Sequence, residues 1–163
     1  MPFSVSQKTL DRLEWPEVVE RLRRLARTPR GRIRCEADDS LFEEELSEAR
    51  ARLAETSEAR AILDAGSLPP LDGVRDQARV LGRLRKEGML TGEELLGLRS
   101  TLGAIHETSR FLLGRAEEAP LLADWANCLL DHSELEAEID AALEADGEVR
   151  DSASPDLATA RRE

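Results

Sequence analysis

Three places in this 163-residue chain carry Ser or Thr followed three positions later by Glu: Ser40 with Glu43, Thr91 with Glu94 and Ser133 with Glu136. In such a capping box the hydroxyl accepts from one free amide at a helix start, and the Glu carboxylate accepts from another. Each pair precedes an apolar stripe of helical period. After Ser40 the stripe runs Leu41, Phe42, Leu46, Ala49, Leu53, Thr56, Ala59, Ile62 and Leu63, with Gly66 as its natural C-terminal stop. That spacing predicts a helix of about 25 residues, near 37 Å at 1.5 Å per residue. Thr91 opens a stripe of Leu95, Leu98, Leu102, Ile105 and Leu112 ending near Gly114, and Ser133 opens one of Leu135, Ile139, Ala142 and Leu143. A chain so punctuated is bound to be mainly helical.

Proline and glycine complete the pattern. Phe3 to Leu13 reads as a short lead-in helix. Pro16 suits the first turn of the next, where a missing N–H costs nothing, and Val18, Val19, Leu22 and Leu25 follow at helical spacing. Thr28-Pro29 repeats the signal for a helix to about Ala37. A loop at 67–73 precedes a helix through Val74, Ala78, Leu81 and Leu84, which stops near Gly88. Pro120 opens another through Leu121, Leu122, Trp125, Leu129 and Leu130. Asp146-Gly147 breaks the pattern, residues 148–152 form the single extended candidate, and Ser154-Pro155 starts a last helix still running at Glu163. Nine residues make a marginal helix in isolation, so the end reads as a cut in a longer protein. The expectation is an all-α fold of about seven helices.

Composition narrows the function. The net charge is −11, unfavourable for a uniform polyanion binder. No apolar run approaches the ~18 residues of a membrane span, and no basic n-region with an apolar stretch opens the chain. Two cysteines, Cys35 and Cys128, give no disulfide framework and fit a reducing cytoplasm. Neither lysine, Lys8 or Lys86, lies in the Gly-Lys-Ser/Thr context of a phosphate loop. Gly-x-Gly-x-x-Gly and Gly-x-Ser-x-Gly are absent, and His106 and His132 lack zinc-ligand spacing from each other and from the cysteines.

The charge is unevenly spread. Residues 1–34 hold nine basic and four acidic side chains, a local +5 against −16 for the remainder. Seven arginines cluster there: Arg21, Arg23, Arg24, Arg27, Arg30, Arg32 and Arg34. They are the candidate nucleic-acid contacts, since arginines neutralise phosphates with release of counterions. The alternative is a solvated face paired with acidic helices of the same chain; the lack of interleaved aromatics disfavours base stacking. The carboxylates Glu134, Glu136, Glu138, Asp140 and Glu144 spread round one helix rather than converging on a metal. Cys35, Cys128, Trp15 and Trp125 read as core residues, and His106 as a surface or hydrogen-bonded histidine.

The stretch from Asp146 through Gly147, Glu148, Val149, Arg150, Asp151, Ser152, Ala153, Ser154, Pro155 and Asp156 to Leu157 resembles a signature of the second bacterial MutS family, MutS-two. Thr9-Leu10 with Leu13-Glu14, Glu55-Thr56-Ser57-Glu58-Ala59, Pro69-Pro70-Leu71 through Val74-Arg75-Asp76, and Gly88-Met89-Leu90-Thr91 with Glu94-Leu95-Leu96 resemble it in the same order. The resemblance implies a DNA-binding ATPase that lacks the mismatch-reading domain. Such proteins have a helical core, lever and clamp helices, an ATPase domain and often a small nuclease domain. They are linked to suppression of recombination and to ribosome rescue, and they work as homodimers.

On that resemblance, residues 1–153 are a helical MutS-like core and 154–163 the start of a lever helix. The segment carries no catalytic, cofactor or metal residues; ATP, Mg and nuclease chemistry belong beyond Glu163. Its partners are the rest of the parent chain and, through the parent, DNA or the ribosome, with no membrane. The implied role is structural coupling. The alternative is an independent acidic helical adaptor for a protein partner.

Overall fold

The computed structural model describes residues 5–36 and 41–161. Among them are nine α-helices: α1 (Gln7–Arg12), α2 (Trp15–Leu25), α3 (Pro29–Glu36), α4 (Leu46–Asp64), α5 (Ala78–Leu84), α6 (Gly92–Leu113), α7 (Pro120–Asn127), α8 (Ser133–Ala142) and α9 (Pro155–Ala160). The described residues contain no strand. The chain is all-α, and each of the nine described helices falls on a segment picked out in the sequence, two more than the round figure of about seven. The extended candidate at 148–152 reduces to one antiparallel bridge, Leu143 with Val149, followed by a 3-10 turn at Asp151–Ala153.

Helix α6 organises the molecule. Its 22 residues make a rod of about 33 Å. Thr91 accepts from the Glu94 amide while the Glu94 carboxylate accepts from the Thr91 amide at 2.9 Å, so this capping box forms as read. Every residue from Glu94 to His106 is at least partly buried, because other parts of the chain lie round the rod. Helices α7 and α8 pack on it, and α4 packs on α7. The buried apolar residues lie at these seams: Ala104, Ala119, Ala123, Ala126, Ile139 and Leu143, with Ile62 and Val80. Half of them are alanines.

Local signals place most helix ends. Thr28 Oγ accepts from the Gly31 amide at 3.1 Å, so α3 starts at the Thr-Pro step. Gly66, at φ +75, lets the Gly66 and Ser67 amides reach back to Leu63 and Ile62 and close α4. Helix α5 stops by the same device, but Glu87, not Gly88, takes the left-handed position, at φ 57.

Four expectations need correction. Helix α7 ends at Asn127, short of Leu129 and Leu130. Helix α4 is 19 residues, not 25, because regular structure begins at Leu46 rather than Leu41; Ser40 lies outside the described residues. The Ser133 box does not form. Asp131 accepts from the Ser133 amide at 2.9 Å, which leaves His132 as the N-cap and Ser133 inside α8. Val74 precedes α5 in the loop, where its amide bonds the Leu71 carbonyl.

That loop is laid along α6. The Arg75 amide and Gln77 Nε2 donate to Thr101 Oγ1 at 3.1 and 3.0 Å, Gln77 Nε2 also donates to the Gly97 carbonyl at 2.9 Å, and Ser100 Oγ donates to the Gly73 carbonyl at 3.1 Å. Thr101 is thus a buried polar residue whose hydroxyl is satisfied. A Cβ on Gly73 would come within 2.9 Å of the Ser100 carbonyl, so glycine is required for this approach.

Candidate nucleic-acid interface

The seven arginines fall on two short helices and their connection. Arg21, Arg23 and Arg24 are on α2, Arg27 follows it, and Arg30, Arg32 and Arg34 are on α3. The break at Thr28-Pro29 divides the cluster, as the sequence indicated. No residue of α1, α2 or α3 is fully buried.

Among the described residues carboxylates meet Arg23, Arg24, Arg27 and Arg30. Glu20 is the hub, accepting from Arg23 Nε at 2.7 Å and Arg24 Nε at 2.9 Å. The hydrogen bond from Arg23, then that from Arg24, lowers the Glu20 carboxyl to about 2 and so keeps it ionised. Arg23 also comes within 3.8 Å of Glu36 on α3. Arg27 pairs with Asp72, and Arg30 approaches Asp76 at 4.0 Å. Arg32 Nε donates to the Ala26 carbonyl at 3.0 Å. Arg21 lies with Pro16, Glu17, Glu20 and Arg24 along an open groove. The partners are the cluster's own helices and the α6-bound loop, so much of the local positive charge is met inside the chain.

The other candidates are dispersed. Asp140 takes a two-toothed ion pair from Arg99 at 2.8 and 3.0 Å, which ties α8 to α6 and lowers the Asp140 carboxyl. Glu144 pairs with Arg150 at 3.4 Å. Among the described residues no three His, Cys, Asp or Glu gather as metal ligands would. His106 Nδ1 lies 3.5 Å from Asp131. Cys35 is half-buried, but Cys128 is exposed, contrary to its reading as a core residue. Trp125 is also corrected: it is 52 % exposed. Its indole N–H donates to Glu55 at 3.1 Å and Arg52 lies over its ring, so polar partners on α4 hold it at the surface. Trp15 is partly buried against Phe42, with ring centroids 4.8 Å apart.

The residue that sequence reasoning missed is Glu58. Helix α7 begins at Ala119-Pro120, with no side chain of its own to cap it. From α4, both Glu58 oxygens accept the exposed amides of Leu121 and Leu122 at 3.2 and 3.0 Å. Glu55 and Glu58 therefore clamp α7 at two points. The only signal was the likeness of residues 55–59 to the family pattern.

No family model matches the chain, and no solved structure does. Curated relatives do. The chain is 36 % identical to endonuclease MutS2 of Symbiobacterium thermophilum over 159 residues, which are 97 % of this chain and 20 % of that protein. It is 35 % identical over 161 residues to endonuclease MutS2 of Pelotomaculum thermopropionicum, with the same coverage. The protein of that name from Geobacillus kaustophilus is 35 % identical over 158 residues, which cover 94 % of this chain and 20 % of the relative. The chain thus spans about a fifth of the length of the relatives it matches. Over these residues the chain is homologous to endonuclease MutS2, consistent with an N-terminal region of that protein.

Proposed function

We propose that this chain is a structural coupling module of a MutS2-type protein and performs no chemistry itself. The likeness over 97 % of the chain to a fifth of endonuclease MutS2 carries the reading. The architecture supports it. A 22-residue rod, gripped along its length by loop, helix and tail, can pass a displacement from one end to the other with little bending. ATP hydrolysis with Mg, nuclease action, homodimerisation and contact with DNA or ribosomes are then properties of the whole protein in which the module works, and suppression of recombination or ribosome rescue are its outcomes. Helix α9 is the start of a lever. The arginine cluster serves first as an internal brace, since Glu20, Asp72 and Asp76 already engage it. No helix among the described residues is long and apolar enough to cross a membrane.

A chimera tests the reading. In the Geobacillus kaustophilus endonuclease MutS2, the matching region is either deleted or replaced by this chain, and nuclease activity is assayed. The expected result is loss on deletion, recovery in the chimera and no activity from the chain alone. A chimera no better than the deletion, or turnover by the purified chain, overturns it.

A further inference from the structure

The signature tail is built as a closed turn. After α8, the Glu144 amide donates to the Glu148 carbonyl at 2.8 Å, and the Arg150 amide donates to the Ala142 carbonyl at 2.9 Å. Between them, Asp146 accepts from the Glu148 amide at 3.0 Å and Gly147 turns the chain at φ +89. Arg150 Nε fastens the base of the turn by donating to the Leu143 carbonyl at 2.7 Å.

The tip of this turn meets the start of α6. A Cβ placed on Gly92 would overlap the Gly147 carbonyl oxygen outright and lie 2.8 Å from its carbon. A Cβ on Gly147 would lie 3.1 Å from both the Glu93 nitrogen and the Gly92 carbonyl carbon. The two backbones touch with no side chain between them, which only a glycine pair permits. Seen from the other end, the turn holds α9. Ser154 Oγ caps that helix at the Leu157 amide, 3.1 Å away, while Arg161, the residue that ends it, donates to the Val149 carbonyl at 3.1 Å and pairs with Asp151.

We propose that the Asp146–Gly147 turn is a latch. It seats on the first turn of α6 through Gly92 and grips α9 through Arg161, and so fixes the direction in which α9 leaves the helical bundle. Gly92 and Gly147 are 55 positions apart, and their contact makes α6 and α9 one rigid unit. This gives the coupling reading a specific joint and rests on that reading for its purpose. Its geometry is independent, and is tested in this chain alone while the chimera tests coupling in a relative, so either can fail without the other.

The experiment uses the 163-residue chain with Cys35 and Cys128 changed to serine, and spin labels at Glu107→Cys on α6 and Ala160→Cys on α9. Three variants are compared: Gly92→Ala, Arg161→Ala and, as control, Gly82→Ala, where a Cβ meets nothing within 4 Å. Amide exchange is followed at Glu144 and Arg150 in the turn and at Ala123 in the bundle. The expected result for Gly92→Ala is exchange at least about tenfold faster at both turn amides, unchanged exchange at Ala123, and a broadened α6–α9 distance. Arg161→Ala is expected to broaden that distance with the turn amides still protected, and Gly82→Ala to change neither. If Gly92→Ala fails to fold, Arg161→Ala decides. A narrow, unshifted α6–α9 distance in Arg161→Ala, or turn amides unaffected in a folded Gly92→Ala, overturns the proposal.

Discussion

Helices α2 and α6 show opposite relations between pattern and burial. Helix α2 separates its apolar and charged faces far more sharply than α6 does, yet none of its residues is fully buried, and Leu25 at its end is 77 % exposed. Helix α6 has a diffuse pattern and is partly buried on all sides along most of its length. An amphipathic pattern records a face suited to a partner; burial depends on how many elements surround the helix. The α6 assembly is held by packing at helix seams. The α1–α3 arm has no fully buried residue, and exposed ion pairs through Glu20, Glu36, Asp72 and Asp76 run across it.

The largest expected effect therefore lies in the α6 assembly. Ile139 on α8 is 5 % exposed. Ile139→Ala should cost about 2–4 kcal/mol, from lost burial and the cavity left behind. Urea denaturation followed by circular dichroism measures it, and a loss under about 1 kcal/mol would mean that α8 is not part of a packed core.

Next is the α4–α7 clamp. Glu58→Ala leaves the Leu121 and Leu122 amides without their carboxylate and should cost about 1 kcal/mol, the usual value of a helix N-cap. The same denaturation curve serves, and Glu58→Gln should recover part of the loss, since its amide oxygen still accepts.

Much of this contrast was legible in the residues. Helices whose start or stop is chemically local were readable, as at Thr28-Pro29, Gly66, Thr91 with Glu94, and Ser154-Pro155. Features made by distant partners were not. Glu58 lies 63 positions from the amide it caps, and Gly92 gives no hint that Gly147 will press on it. Ser133 with Glu136 had the right spacing, yet Asp131 reached the Ser133 amide first, so a nearer acceptor defeated the motif. Trp125 looked like a core anchor because a stripe reports an apolar face and not its cover. For the arginines, charge was visible but partners were not, because Asp72 and Asp76 come to them through a loop whose path α6 dictates.

Acid should affect the arm in a defined way. The Glu20 carboxyl in the folded chain is lowered to about 2 from an ordinary 4.5. A depressed carboxyl stabilises the fold above its unfolded pKa and loses that contribution as pH falls toward the folded value. Lowering the pH from about 5 to 2 should loosen the second half of α2, where Glu20 meets Arg23 and Arg24, and Glu20→Gln should reproduce that loosening at neutral pH. Backbone chemical shifts of α2 report it; shifts that ignore both changes would show that the arm is held by something other than these ion pairs.

The smallest effect is expected at Leu25. Leu25→Ala should change stability by less than about 0.5 kcal/mol, because the side chain is already mostly in water. A larger loss would place a hidden apolar contact beneath α2.

The most direct test of the central claim, that this is a coupling module without a nucleic-acid grip of its own, is a salt titration. The 163-residue chain is bound to duplex DNA and to ribosomal RNA, beside a variant carrying Arg23→Ala, Arg27→Ala and Arg30→Ala. A net charge of −11 repels phosphates, and screening within about 8 Å leaves only a local patch to act. That patch is divided between α2 and α3 and already engaged by carboxylates, so few phosphates can be held at once. The predicted result is weak or undetectable binding near physiological salt, with little difference between the two proteins. Submicromolar, salt-steep binding that the variant loses would contradict the claim and make the arginine arm a nucleic-acid contact in its own right.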